Sequence, residues 1–585
     1  MQYDIALLND DPLFLNEGNQ DHKLVVYQLL VRLFTNSNTN NKIWGTIEEN
    51  GVGKFNDIQE KALKAILELG ATHVWYTGIL EHATMTDYRD HRIDLDDADI
   101  VKGRAGSPYA IKDYYDVDPD LAVKVDQRME EFEALVARTK KAGLKVLIDY
   151  VPNHLARFYK SDQKPEGIID FGEDDDPSQA FLSDNNFYYL PGEKLEISKE
   201  QIAYESGLQG PRHNGFYEES PAKATGNDVF HAQPSVNDWF ETVKLNYGVD
   251  VQNGGQTYFE PIPDTWHKML QVLRFWAAKD IDGFRCDMAE MVPAEFWHWV
   301  IPQLKKDYPT LIFVAEIYNP DQYRRYLDFG GFDYLYDKVQ LYDTLKKIVQ
   351  QSGSTNWLTG IWQHLRGVNH RMLRFLENHD EQRIASPDFI GDPWHALPAM
   401  MVSATWHQGP VMLYFGQEVG EPGAGISGFS GEDGRTTIFD YWGVPMHQKW
   451  LNNGQYNGGQ LPENRKHLRS YYVELMQFCR KFEAIKKGAF YDLQPWMSKQ
   501  TGYSEQVLTY LRFTENECLL FICNFSRHQS FSFKLTLPDS ILDMLAWPPK
   551  GSLQGVFGTK ANYSYNQGVD LEIPVLGSLV FLCGK

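Results

Sequence analysis

Arg285 and Asp287 stand two residues apart in GFRCDMAEM, at the end of an apolar run. If that run is a strand, its period of two puts both side chains on one face. The guanidinium would then keep the carboxylate ionised, as a nucleophile must be. Three other apolar runs close on polar groups in the same way: LIDYVPNH with Asp149, Asn153 and His154, FVAEIYNP with Glu316, and RFLENHDEQR with Asn378, His379 and Asp380. Glu316 leaves an apolar strand, and a carboxyl near such walls and near other carboxylates has a raised pKa, the property of a proton donor at neutral pH. Two carboxyls in contrasting surroundings are what glycoside cleavage needs, one to attack the anomeric carbon and one to protonate the departing oxygen. A neutral imidazole at His154 or His379 can donate to a sugar hydroxyl. One strand-end acid alone is more often a helix cap or an ion-pair partner, but four coincident strand ends are not explained that way.

These residues converge only if the strands that end in them lie side by side. Runs at 24–34, 73–80, 144–151, 281–286, 311–316, 372–377 and 411–415 read as strands. Amphipathic helices separate the later ones, with apolar stripes at Met129, Phe132, Leu135 and Val136, at Trp266, Met269, Leu270, Leu273 and Trp276, and at Phe296, Trp297, Val300, Ile301 and Leu304. The alternation predicts an α/β chain built on a parallel (β/α)8 barrel, in which the C-terminal strand ends carry the chemistry. Residues 155–264 break the rhythm and are dense in Gly, Pro, Asp and Asn. A structureless loop of that length is implausible, so an inserted domain is expected there. From 488 onward QVLTYLRF, CLLFICNF, FSFKLTL and GSLVFLC read as short strands, and Phe531, Phe533, Leu535 and Leu537 alternate as one buried face should. The expected division is a first barrel segment at 1–154, the insertion at 155–264, a second barrel segment at 265–487 and a C-terminal all-β sandwich at 488–585.

Composition narrows the partners. A hydrophobic fraction of 43% with 23% charged residues over 585 residues is that of a folded chain with a large core. The net charge of -23 repels nucleic acid and anionic membrane, leaving a neutral or cationic substrate. An aromatic content of 14% suits stacking against sugar faces without proving it. The start, MQYDIALLNDD, has no basic and apolar leader, and no uncharged run reaches the roughly 18 residues of a membrane span. Cys286, Cys479, Cys518, Cys523 and Cys583 include no C-x-x-C pair, which fits a reducing, cytoplasmic setting, with a secreted or periplasmic chain trimmed of its leader as the alternative.

In order, DYVPNH, GFRCD, AEIY and ENHD resemble the four motifs of the α-amylase family, family 13 of the glycoside hydrolases. YAIKDYYDVDP at 109–119, GPVMLYFGQE at 409–418 and GRTTIFDYW at 434–442 extend the resemblance, which runs from about residue 24 to the end. It implies that Asp287 is the nucleophile, Glu316 the general acid/base and Asp380 the acid that distorts the sugar. Asp149, Arg285, His154 and His379 would serve the same subsite, and Tyr109 would stack beneath the ring. The implied reaction is retaining cleavage of α-glucosidic bonds in starch, glycogen or malto-oligosaccharides through a covalent glycosyl-enzyme. Transglycosylases and isomerases of the family share that intermediate and remain alternatives. A noncatalytic carbohydrate-binding protein is a third, against which the three acids together argue.

The resemblance implies no required cofactor. It allows a structural calcium ion between the barrel and the insertion, held in many members by the Asn of the first motif, here Asn153, and by the carbonyl of a histidine after the nucleophile. That histidine belongs to a Lys-His pair replaced here by Glu290 and Met291. Contacts to the leaving-group sugars are therefore expected from other loops, with Glu290 and Met291 either tuning product size or pairing and packing locally. The acidic stretches DLDDAD at 94–99 and GEDDDP at 172–177 read as solvated loops.

Overall fold

The computed structural model describes residues 14–15, 23–197, 217–235, 237–423, 432–545 and 551–584. Eight parallel strands form its centre: β1 (Val25–Leu30), β2 (His73–Thr77), β3 (Lys145–Tyr150), β4 (Gly283–Cys286), β5 (Ile312–Ala315), β6 (Tyr334–Tyr336), β7 (Met372–Leu373) and β8 (Val411–Tyr414). Each pairs with its sequence neighbours, and β8 returns to β1. A parallel bridge between Arg374 and Val411 joins β7 to β8 and closes the barrel. The strands are buried almost throughout because side chains fill the interior and helices cover the outside.

Seven of the eight strands coincide with the sequence-derived runs. The eighth, Tyr334–Tyr336, does not, for it is three residues long and lies between the turns Arg325–Phe329 and Lys338–Tyr342. So short a run shows no readable period. The three apolar stripes are the buried faces of helices Arg128–Lys141, Asp264–Ala277 and Ala294–Asp307.

The excursion leaves the barrel on His154–Ala156 and returns on Thr242–Lys244, and these two strands pair antiparallel. Both ends of the insertion are thus tied together at the barrel mouth, and helix Asp264–Ala277 starts where the rhythm was expected to resume. The acidic loops are solvated only in part: Asp94, Glu173, Asp174 and Asp176 are exposed as expected, but not every acid is. Asp96 is buried against Lys112 at 3.1 Å and accepts from the Thr84 amide, while Asp175 accepts the amides of Asn186 and Phe187.

The C-terminal region is a seven-stranded antiparallel sheet faced by the ribbon Phe531–Leu535/Val569–Ile573. Phe533 and Leu535 are buried between exposed Ser532 and Lys534, the alternation expected of a strand with one core face. One edge strand, Phe14–Leu15, comes from the other end of the chain and pairs with Phe490 and Tyr491. Part of the segment assigned to the barrel therefore belongs to the last sheet, a pairing across more than 470 residues that no local pattern reports. Among the described residues no helix is long and apolar enough to cross a membrane, and all five cysteines are unpaired.

Candidate active site

The C-terminal ends of β3, β4 and β5 place their acids around one guanidinium. Arg285 sits level with Asp149 in the β3–β4 ladder. Its Nη1 lies 2.6 Å from Asp287 Oδ1 and 3.5 Å from Asp149 Oδ1, and its Nη2 lies 2.8 Å from Glu316 Oε2. Its Nε donates to Tyr336 Oη at 3.2 Å, so the strand absent from the sequence reading completes the cradle. Trp75, Tyr109 and Tyr336 surround the cation at 5.2, 5.4 and 5.5 Å from its Cζ. Arg285 was expected to keep Asp287 ionised. Instead its charge is shared among three carboxylates, and burial pushes the Asp287 carboxyl above its usual range with Arg285 opposing.

Glu316 is held by both oxygens. Tyr318 Oη donates to Oε1 at 2.5 Å, and the Met288 amide donates to Oε2 at 2.8 Å. Met288 directly follows the proposed nucleophile and adopts a left-handed conformation (φ 41°, ψ 41°), which aims its N–H at Glu316. A non-glycine residue there stores backbone strain of roughly 1–3 kcal/mol, a feature concentrated at functional sites. Burial raises the Glu316 pKa, as expected of a proton donor, while Arg285 opposes. Arg285 holds Asp287 through Nη1 and Glu316 through Nη2, so the two carboxyls stand side by side across one guanidinium.

Asp380 is the most open of the three acids, its side chain a third exposed. The surrounding pocket and the Glu316 charge push its pKa up. Asn378 Oδ1 fixes its backbone by accepting from the amides of Asp380 and Glu381, both at 2.9 Å. Both histidines are neutral. Burial lowers the pKa of His154 to about 3, and burial with Arg285 lowers that of His379. His154 Nε2 stands 4.0 Å from Asp287 Oδ2. His379 Nδ1 meets Gln28 Nε2 at 2.8 Å, while Nε2 meets Tyr109 Oη at 2.5 Å and Asp380 Oδ2 at 3.1 Å.

A cavity of about 280 Å³ opens over this layer, lined by Tyr109, His154, Asp287, Glu316 and Asp380 among others. Asp149, Arg285 and His379 do not line it. They form the tier beneath, where Asp149 accepts from Trp75 Nε1 at 3.1 Å and the Gly78 amide at 3.2 Å. The wall also includes Trp239 and Glu241 from the insertion and Lys102, none of which the sequence singled out, and Tyr318 and Phe439, which lie inside the motifs AEIY and GRTTIFDYW but were given no role of their own. They sit on loops whose course no periodicity reports. Gln28 did leave a signal, a lone amide inside the apolar run LVVYQLL.

Two departures resolve at neighbouring positions. Glu290 Oε2 accepts from the amides of Tyr318 and Asn319 at 3.1 and 3.0 Å, so it ties down the loop that carries Tyr318 and does not line the cavity. Asn153 Oδ1 accepts from Lys244 Nζ at 2.7 Å, its Nδ2 donates to the Gly226 carbonyl at 2.7 Å, and Lys244 pairs with Asp228 at 2.8 Å. An ammonium already occupies the oxygen that calcium would need, so these residues do not fit a calcium ion at Asn153.

The sequence profile of the alpha amylase catalytic domain matches residues 28–516. Alpha-amylase 3 of Dictyoglomus thermophilum is 23% identical over 452 residues, covering 73% of this chain and 76% of its own. A human amino acid transporter heavy chain is 24% identical over 269 residues, covering 46% of this chain and 29% of its own. Among solved structures, the α-amylase of Geobacillus thermoleovorans, determined with acarbose, superposes with a TM-score of 0.60 at 17% identity, covering 97% of this chain and all of that one. The closed barrel, the ordered acids at its mouth and the profile match over most of its length agree, and this chain belongs to the α-amylase family of glycoside hydrolases.

Proposed function

We propose that the protein hydrolyses α-glucosidic bonds of starch, glycogen or malto-oligosaccharides with retention, Asp287 attacking and Glu316 moving the proton. Asp287 Oδ1 is engaged by Arg285, which leaves Oδ2, facing His154, to attack the anomeric carbon. Glu316 gives its proton to the leaving glycosidic oxygen as the bond breaks, and the ester to Asp287 forms. Water then attacks the same carbon, Glu316 takes back a proton, and the carboxylate of Asp287 departs. Asp380, open to the cavity, is placed to engage sugar hydroxyls, and Tyr109 lies in the cavity wall as a stacking surface.

Family membership alone does not decide catalysis, since one relative is a transporter heavy chain. The carrying observation is that one buried guanidinium holds two acids beneath an open cavity, an arrangement a binding-only protein has no use for. The five unpaired cysteines support a reducing compartment, the cytoplasm. The test is NMR of the first product formed from a malto-oligosaccharide. An α-configured reducing end is expected, and a β-configured one overturns the mechanism. Asp287→Asn should abolish turnover while sugar binding survives. Chromatography with added glucose, maltose or phosphate as acceptors separates hydrolysis from transfer.

A further inference from the structure

Away from the cavity, a second set of acids is buried at the root of the insertion. Leu80–His82 and Ile111–Val117 form an antiparallel ribbon in which Glu81 stands opposite Asp113. Like charges facing each other across a ladder are destabilising unless something lies between them. Asp162, from the first turn of the excursion, joins them, and one carboxylate oxygen from each of the three lies within 4.8 Å of the others. That is the separation of two ligands on opposite sides of a calcium ion, each at about 2.4 Å.

Glu81 marks the group as more than a chance cluster. It is 1% exposed, and neither of its carboxylate oxygens has a hydrogen-bond partner. Among the described residues no lysine, arginine or histidine forms an ion pair with it, because the nearby cations are committed elsewhere. Lys112 pairs with Asp96, and Arg128 pairs with Asp116 and Asp162. Asp113 is oriented from behind, Oδ1 accepting the Tyr115 amide and Oδ2 the amides of Asp162 and Gln163. A buried carboxylate without partners costs several kcal/mol unless a proton or a cation compensates it, and three acids converging on one point suit a cation.

We propose that Glu81, Asp113 and Asp162 form a binding site for a hard divalent cation of calcium's size. Three carboxylates with no nitrogen or sulfur donor select such an ion over zinc or copper. The ion would bridge the ribbon that follows Tyr109 to the start of the insertion, stiffening two walls of the active-site cavity from outside it. The site is distinct from Asn153, where Lys244 stands.

The test uses the full chain, stripped with EDTA and dialysed, then titrated with CaCl₂ by calorimetry and melted with and without the ion. One calcium per chain and a rise in Tm of about 3 °C or more at saturating calcium are expected, with a smaller rise from magnesium. Glu81→Gln should lose the calorimetric signal and the Tm response. Asp162→Asn, at a less buried position, should do the same and covers the case in which Glu81→Gln does not fold. Absence of calcium uptake by the wild type, wild-type stoichiometry in either variant, or a larger response to magnesium than to calcium overturns the proposal. So does a Tm indifferent to calcium that falls more steeply with rising pH in the wild type than in Glu81→Gln, because a shared proton would then be holding the carboxylates.

Discussion

Tyr318→Phe removes a single hydroxyl from the catalytic layer and keeps the ring. That hydroxyl donates to Glu316 Oε1 at 2.5 Å, a bond that favours the ionised carboxylate and so lowers the Glu316 pKa against the upward push of burial. A hydrogen bond to a charged group contributes about 1.5–3 kcal/mol. At 1.36 kcal/mol per tenfold change in proton affinity, its loss should raise the affinity of Glu316 for its proton by about one to two powers of ten. Glu316 must be protonated to expel the leaving group, so its titration sets the alkaline limb of kcat/KM against pH. The sign follows: the alkaline limb in Tyr318→Phe should move upward by about one to two pH units, while the acidic limb stays near its place. The assay is a pH profile of kcat/KM on a malto-oligosaccharide, repeated with an aryl glycoside whose activated leaving group needs little protonation and whose alkaline limb should respond less. Tyr318 acts through Glu316 and is in that respect a positioning residue, so a uniform fall in rate with both limbs unmoved would refute the reasoning, as would an alkaline limb displaced downward.

Glu290→Ala should leave the Tyr318 and Asn319 amides without their acceptor, lowering stability by about 1–2 kcal/mol while the product sizes stay unchanged; altered products at an unchanged Tm would restore the aglycone role. Lys244→Met removes the ammonium from Asn153 and Asp228 and should cost about 3 kcal/mol, the low end for a broken buried pair because Asp228 is 40% exposed; a denaturation midpoint equal to wild type would contradict it. Burial raises the pKa of Asp116, Asp149 and Glu377 to about 7 and of Asp96, Asp118 and Asp120 to about 6. A folded pKa above the unfolded value of about 4 gives stability that is complete below pH 4 and lost as pH rises through 6 to 7. Tm should therefore fall between pH 5 and pH 8, and a flat or rising Tm over that interval would show that these acids are better compensated than their burial implies.

What was legible in the sequence was whatever a local period encodes. Arg285 and Asp287 share a face because they are two apart on a strand, and Asp149, Glu316 and Asp380 each end or follow an apolar run, so barrel, insertion, sandwich and the three acids could all be read from short windows. Contacts between distant segments carry no such period, and they decided the rest. Only the folded chain shows that Arg285 divides its charge among Asp149, Asp287 and Glu316, that Tyr334–Tyr336 completes the barrel, and that Phe14–Leu15 joins a sheet formed by the other end of the chain. The same holds at Asn153, whose partner Lys244 lies 91 residues away across the insertion, and at Glu290, whose partners are the amides after Glu316. The physical reason is common to all of them. A strand's exposure pattern depends on which side faces the core, which the residue types record, whereas the partner of a buried charge depends on which loops close over it.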